Sequence, residues 1–298
     1  MATAGPARRV PWSAQRDTGA RSTQEGEFMN QTTSTPVVPI RFDDKVVVIS
    51  GASRGIGRVL ARGFAAAGAD TLFVARREDE LRRLEKELLD AGHSGFAHVA
   101  DLSEPEGVES MIDAALSRFG GIDVLVNNLG VAGPTARIED TDLSDWESTI
   151  AVNLTSAFLA IRGAVPSMKA RGGGAIVNIG SILGKTPYRY RSSYAATKMG
   201  LIGVTRVLAQ ELGPDRIRVN AILPGSVSGE RGEEIFAAQA KARGITVQEA
   251  RQQLLDMSPL GTQVSPESIL NMALFLASEH AEHMTGQDIN VTAGVVMY

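Results

Sequence analysis

The stretch Gly51-Ala52-Ser53-Arg54-Gly55-Ile56-Gly57 follows a β-branched run, KVVVIS at residues 45–50, and opens an apolar-periodic segment through Val59, Leu60 and Phe64 to Ala67. This constrains the fold more than any other feature. Glycines in a GxxxGxG spacing let the backbone turn sharply out of a strand, approach a bound anion closely and seat the next helix against the sheet. The start of that helix offers unpaired N–H groups to a pyrophosphate. A glycine turn that holds nothing is the competing reading, and the strand before and helix after argue against it.

The rest of the chain repeats the alternation. Strands are expected at 71–75 (TLFVA), 97–100 (AHVA), 124–127 (VLVN), 175–179 (AIVNI), 218–223 (RVNAIL) and 288–291 (DINV), with amphipathic helices between them. In the helix at 78–91, Leu81, Leu84, Leu88 and Leu89 are expected to face the core. The pattern predicts a single α/β domain over 41–298: a Rossmann-type, doubly wound parallel sheet of about seven strands with helices on both faces. No solenoid-length repeat is present, and Gly172-Gly173-Gly174 reads as a turn before the fifth strand.

Composition narrows the chemistry. The net charge of −4 supplies no broad basic field, so nucleic acid is not an expected partner. With no cysteine and only four histidines, thiolate chemistry and a metal cage are not expected either. No run approaches the roughly 18 consecutive apolar residues of a membrane span, giving the expectation of a soluble, cytoplasmic protein without a membrane partner. Residues 1–40 are rich in Ser, Thr, Ala, Gly, Pro and Arg and read as a disordered extension. Arg8, Arg9, Arg16 and Arg21 faintly suggest a transit peptide, but the preferred expectation places the start at Met29.

The end of the second strand selects the nucleotide. An acidic residue there would bind a ribose 2′-hydroxyl and repel a 2′-phosphate, whereas this chain has Arg76-Arg77, and Arg54 lies in the glycine loop. Guanidinium forks suit a phosphate, which favours NADP(H) and leaves NAD(H) open. Solvated arginines, or pairs with Glu78 and Asp79, are the alternative.

Tyr194-Ala-Ala-Thr-Lys198 puts a phenol and an ammonium on one face of a helix. A free tyrosine titrates near about 10, too high for a base at neutrality, and a neighbouring cation favours the phenolate. Ser181, just past the fifth strand, is suited to hydrogen-bonding a substrate oxygen, and Asn153 to ordering a water or a proton relay. A lone YxxxK or a lone serine is ordinarily a packing or turn feature. Their order behind the glycine loop gives them meaning together.

These motifs resemble the short-chain dehydrogenase/reductase family over residues 42–298. The resemblance implies that Asn153, Ser181, Tyr194 and Lys198 form a catalytic tetrad. Tyr194 would exchange a proton with the carbonyl oxygen, Ser181 would orient the carbonyl, Lys198 would tune Tyr194 and hold the nicotinamide ribose, and Asn153 would support a relay. Gly51, Ser53, Arg54, Gly55, Ile56, Gly57, Arg76 and Arg77 would hold the cofactor. So would Asp101 with Leu102, Asn128 with Gly130 in the Asn127-Asn128-Leu129-Gly130 loop, and Pro224, Gly225 and Val227 after the sixth strand. Leu129, Gly229 and Ala293 depart from the family pattern. Residues 226–262 would form a substrate lid.

The expected activity is the NADP(H)-dependent interconversion of a ketone or aldehyde with an alcohol. A catalytically silent NADP-binding sensor or scaffold is the alternative. Ile182, Leu183, Pro187 and Tyr188 beside Arg189, Arg191, Glu230 and Arg231 give the substrate region a mixed lining, open to 3-oxoacyl thioesters, polyols or cyclic ketones. Apolar residues around the helices at 146–168 and 194–212, as in the family's tetramers, point to a homotetramer or homodimer.

Overall fold

The run KVVVIS becomes β1 (Val46–Ser50), with every residue buried. Side chains alternate across a strand, so a continuous apolar run means that both faces of the sheet are covered. Val47 and Ile49 enter one core cluster while Val48 enters the other. In β2 (Asp70–Ala75), Phe73 joins the first, and Leu72 and Val74 the second.

The computed structural model describes residues 39–186 and 188–298. The expectations of a disordered leader, a transit peptide and a start at Met29, together with a Pro187 wall, fall on residues outside that range. Ile40, expected to belong to the extension, is partly buried against the first core cluster.

The remaining strands are β3 (Gly95–Val99), β4 (Val124–Asn127), β5 (Gly174–Ile179), β6 (Ile217–Pro224) and β7 (Asp288–Val291). All pair in parallel in the order β3-β2-β1-β4-β5-β6-β7, the Rossmann-type sheet expected. Ladders reach residues that propensity hides: Asp70 pairs with Val46, Gly95 with Thr71, and Gly174 with Ile217. Strand order reverses between β1 and β4, and that is where a doubly wound sheet opens a crevice at the carboxyl ends of its strands.

On one face lie α1 (Gly55–Ala66) and α9 (Pro266–Ala277), so close that a Cβ on Gly63 would collide with Leu270. On the other, α3 (Pro105–Phe119) and α5 (Ser156–Ala170) bury Met111, Ala160, Ile161 and Met168. In α2 (Glu78–Asp90), Leu81, Leu84 and Leu88 are buried, but Leu89 is 60% exposed, contrary to expectation. One step of about 100° beyond Leu88 takes it off the apolar stripe.

Helix α4 (Leu143–Ile150) runs through a π-helical turn (Ala151–Thr155) into α5. This 28-residue span, with a mean hydropathy of 1.3 over its most apolar stretch, is long and apolar enough to cross a membrane by length and composition. Polar residues punctuate the span, so it contains no unbroken apolar run. Its Ala160, Ile161, Ala164 and Met168 pack in the second core cluster, which accounts for the composition. Helix α6 (Ser192–Leu212) follows β5, and α7 (Glu230–Arg243) and α8 (Val247–Asp256) lie between β6 and α9.

Candidate active site

Gly51 (φ 72°) and Gly55 (φ 55°) adopt left-handed backbone in the turn from β1 to α1. Gly57 answers a second demand, close approach, since a Cβ there would run into the Gly51 carbonyl. Asn128, at the end of β4, braces this turn by donating from Nδ2 to the carbonyls of Ser50 (2.9 Å) and Gly51 (3.0 Å). The Ser50 hydroxyl in turn accepts from the backbone N–H groups of Asn128 and Leu129, both at 3.1 Å. Asn128 thus shapes the loop with its side chain.

Helix α1 starts without a side-chain cap and without an acidic residue in its first turn. Its opening N–H groups therefore border a cavity of about 560 Å³ that the glycine loop lines. That arrangement fits the pyrophosphate of a dinucleotide.

The cavity extends to Arg76, Arg77, Asp101 and Leu102 at one end and to Ser181, Tyr194 and Lys198 at the other, with Gly130, Pro224, Gly225 and Val227 along its wall. Asp101 accepts from the hydroxyl (2.7 Å) and backbone (3.0 Å) of Ser103, and these bonds hold its carboxyl below the usual range, helped by Arg76 at 3.5 Å. Arg77 pairs with Glu80 at 3.0 Å, a different acid from the expected alternatives, Glu78 and Asp79. Arg54 reaches across to α7 and pairs with Glu234 (3.0 Å) and Glu230 (3.3 Å).

Tyr194 and Lys198 lie one turn apart on α6, with the lysine Nζ 5.7 Å from the centre of the phenol ring. Lys198 is buried and donates to the Ile179 carbonyl at 2.8 Å. Burial pushes its ammonium below the usual range, against the pull of Tyr194. Burial also pushes the half-buried Tyr194 phenol up, but Lys198 and Arg231, with the Ser181 hydroxyl and Arg191, bring it below its ordinary value. Ser181 Oγ accepts from the Leu183 N–H at 3.2 Å, leaving its own proton to donate.

Asn153 sits in the π-helical turn and does not line the cavity. Its Oδ1 accepts from Val131 N (2.7 Å), and its Nδ2 donates to the Val131 carbonyl (3.0 Å) and to Thr197 Oγ1 (3.2 Å). Both amide hydrogens are committed, so the side chain clamps the loop after Gly130 to α6.

The far wall comes from α7 and α8, with Phe236, Gln239 and Leu254 facing inward. Gln239 is buried with neither amide atom bonded. Gly229, which departs from the family pattern, has φ 116° and ψ −179°, a conformation essentially reserved for glycine, and it starts α7. Arg191 is 4% exposed, its guanidinium carbon 4.7 Å from the Tyr194 ring centre. Arg231 donates to the Gly130 carbonyl at 2.7 Å. Ser50, Thr197 and Gln239 escaped the sequence reading. Ser50 looks like an ordinary strand end, Thr197 falls inside the tyrosine–lysine spacing, and nothing marks Gln239 apart from its solvated neighbours.

A family model described as enoyl-(acyl carrier protein) reductase matches residues 51–296. The chain is 37% identical over 255 residues to a D-beta-hydroxybutyrate dehydrogenase of Rhizobium meliloti (strain 1021), covering 84% of this chain and 98% of that protein. It is 37% identical over 261 residues to a trans-4-hydroxycyclohexanecarboxylate dehydrogenase of Sinomonas cyclohexanicum, covering 85% and 93% respectively. The solved L-sorbose reductase of Gluconobacter frateurii, complexed with NADPH and L-sorbose, is 34% identical with a TM-score of 0.81, covering 87% of this chain and 99% of that one.

Proposed function

The chain belongs to the short-chain dehydrogenase/reductase family of oxidoreductases acting on hydroxyl and keto groups, and on that premise we propose an NADP(H)-dependent interconversion of a ketone or aldehyde with its alcohol through Tyr194. The observation that carries this reading is the convergence of Ser181, Tyr194 and Lys198 at one end of a cavity that the glycine loop also lines.

A nicotinamide, when bound, supplies or accepts the hydride. The chain's own residues manage the proton and the geometry. In reduction, the Tyr194 phenol donates its proton to the carbonyl oxygen; in oxidation, the phenolate takes it from the alcohol. Ser181, with its hydroxyl proton available, orients that same oxygen. Lys198 stabilises the phenolate, and its attachment to Ile179 fixes it beneath the Tyr194 ring. Asn153 acts as a positioning residue through Val131 and Thr197.

The preference for NADP(H) rests on Arg76 and Arg77 at the end of β2, where no acid stands to repel a 2′-phosphate. Arg54 can join them by exchanging Glu230 and Glu234 for the phosphate. Residues 226–262, with α7 and α8, serve as the substrate lid. Exposed Phe158 on α5 and Met199 and Val207 on α6 supply the apolar faces of a homotetramer or homodimer.

Following NADPH and NADH oxidation over a panel of keto acids, cyclic ketones, ketoses and 3-oxoacyl thioesters tests the proposal. Turnover with NADPH is expected. Failure of every carbonyl would favour the silent sensor, and a better rate with NADH would overturn the arginine argument.

A further inference from the structure

The guanidinium of Arg191 is buried beside the reacting end of the cavity without a counter-ion. Among the described residues no carboxylate pairs with it, its Nη2 donates to the Ala132 carbonyl at 2.9 Å, and its Nε has no partner. Two other arginines show the contrast. Arg171 pairs with Asp123 at 2.8 Å and Arg206 with Asp288 at 2.7 Å. Arg218, also largely withdrawn from water, donates to three carbonyls, those of Leu276, Ala277 and Ser278, at the end of α9. A cation buried without such partners is costly, and a site that retains one is built for an anion.

We propose that Arg191 is the carboxylate-reading residue of this substrate site, and that the substrate is a hydroxy acid or the matching keto acid. Its guanidinium carbon lies over the Tyr194 ring, and the side chain lines the cavity, where its N–H groups can serve a carboxylate. Arg231 adds a second positive group on the same side through its bond to Gly130. Glu230, an acid of the cavity lining, is engaged by Arg54. Because Arg191 and the proton-transfer oxygen serve the same ring, the carboxylate must stand only a few bonds from the reacting carbon. Two relatives act, by their names, on hydroxycarboxylates of that kind.

The inference rests on the reading of Tyr194 as the proton-transfer group. In oxidation, the carbinol C–H bond would break, its hydride leaving to a nicotinamide held by the glycine loop and Lys198. The O–H proton passes to the Tyr194 phenolate, the C=O bond forms, and the carboxylate stays unchanged on Arg191.

Calorimetric titration of NADP⁺-saturated protein with butanoate, which carries the anion but no reacting hydroxyl, isolates the subsite. Wild type is expected to bind butanoate at least about tenfold more tightly than butanamide, and Arg191→Gln to weaken butanoate about ten- to a hundredfold, with Arg191→Lys between the two. Equal binding of acid and amide, or equal butanoate binding by wild type and Arg191→Gln, would overturn the assignment.

Turnover adds an independent reading. The ratio of kcat/KM for 3-oxobutanoate to that for its methyl ester is expected to fall about tenfold or more in Arg191→Gln. A ratio unmoved by the substitution shows that Arg191 acts through Tyr194 or the fold and sinks the subsite. If butanoate binds through Arg191 and no carbonyl is turned over, the carboxylate site stands and the oxidoreductase reading falls. If neutral ketones are reduced as well as acids, the oxidoreductase stands and the carboxylate site falls.

Discussion

Lys198 donates from Nζ to the carbonyl of Ile179 at 2.8 Å, which ties the lysine of α6 to the end of β5, two residues before Ser181. The helix carrying Tyr194 and the strand leading to Ser181 are thereby registered through the lysine itself. Lys198 has a mechanical role as well as an electrostatic one.

Removing the phenol and removing the ammonium should therefore differ. Tyr194→Phe keeps the helix, the Ile179 bond and the cavity shape, so kcat should fall by about 10²–10⁴ while NADP(H) affinity, read by fluorescence titration, stays nearly constant. Lys198→Ala should lower both turnover and cofactor affinity. Comparable turnover in Tyr194→Phe and wild type would end the mechanism.

The pH dependence follows from the same pair. Burial opposes the phenolate, but the charges of Lys198 and Arg231, with the Ser181 hydroxyl and Arg191, hold Tyr194 below the ordinary phenol value. Oxidation needs the phenolate, so kcat/KM in that direction should rise with pH through a midpoint below about 10 and then level off. Reduction, which needs the phenol, should fall through the same midpoint. Lys198→Gln should move the midpoint upward in the residual activity, and an unmoved midpoint would assign the titration to another group.

Arg76 and Arg77 are largely exposed and carry single acidic partners, so truncating them should disturb little besides the nucleotide site. Arg76→Ala with Arg77→Ala should raise KM for NADPH about tenfold or more while changing KM for NADH less than about threefold. Parallel changes in both constants would show that neither arginine reads the 2′-phosphate.

Ala293 adopts φ 52°, a left-handed conformation that strains an alanine, at the point where the family pattern has glycine. Ala293→Gly should stabilise the protein by about 0.5–1 kcal/mol, the strain relieved less the added entropy of the unfolded chain. Thermal unfolding should shift upward by about 2 °C, and a downward shift would show that the Ala293 methyl is needed by the core beside it.

The sheet was legible because its strands are buried on both faces and so stand out as apolar runs. Only marginal residues such as Gly95 and Gly174 were hidden, since their place comes from the neighbouring strand rather than their own propensity. The glycine loop, Ser181 and the tyrosine–lysine pair were legible because their spacing is itself the geometry. What the sequence concealed is connectivity between distant segments. Asn128 and Asn153 read as ligand and relay groups, and nothing in the sequence signals that their amides also brace loops from adjoining elements. Leu89 was misplaced because consecutive leucines cannot both lie on one narrow stripe. The destitution of Arg191 and Gln239 is invisible until the fold decides what surrounds them.

The π-helical turn at Ala151–Thr155 has a bearing on how this segment tolerates insertion and deletion. A turn closed over one extra residue works as a phase shifter. It rotates α4 relative to α5 by about one residue's worth of twist, near 100°, while leaving both continuous. A single-residue deletion there would restore an ordinary helix and remain silent to any measure of helical content. It would nonetheless turn Asn153 away from Val131 and Thr197, releasing the loop that roofs the catalytic end of the cavity.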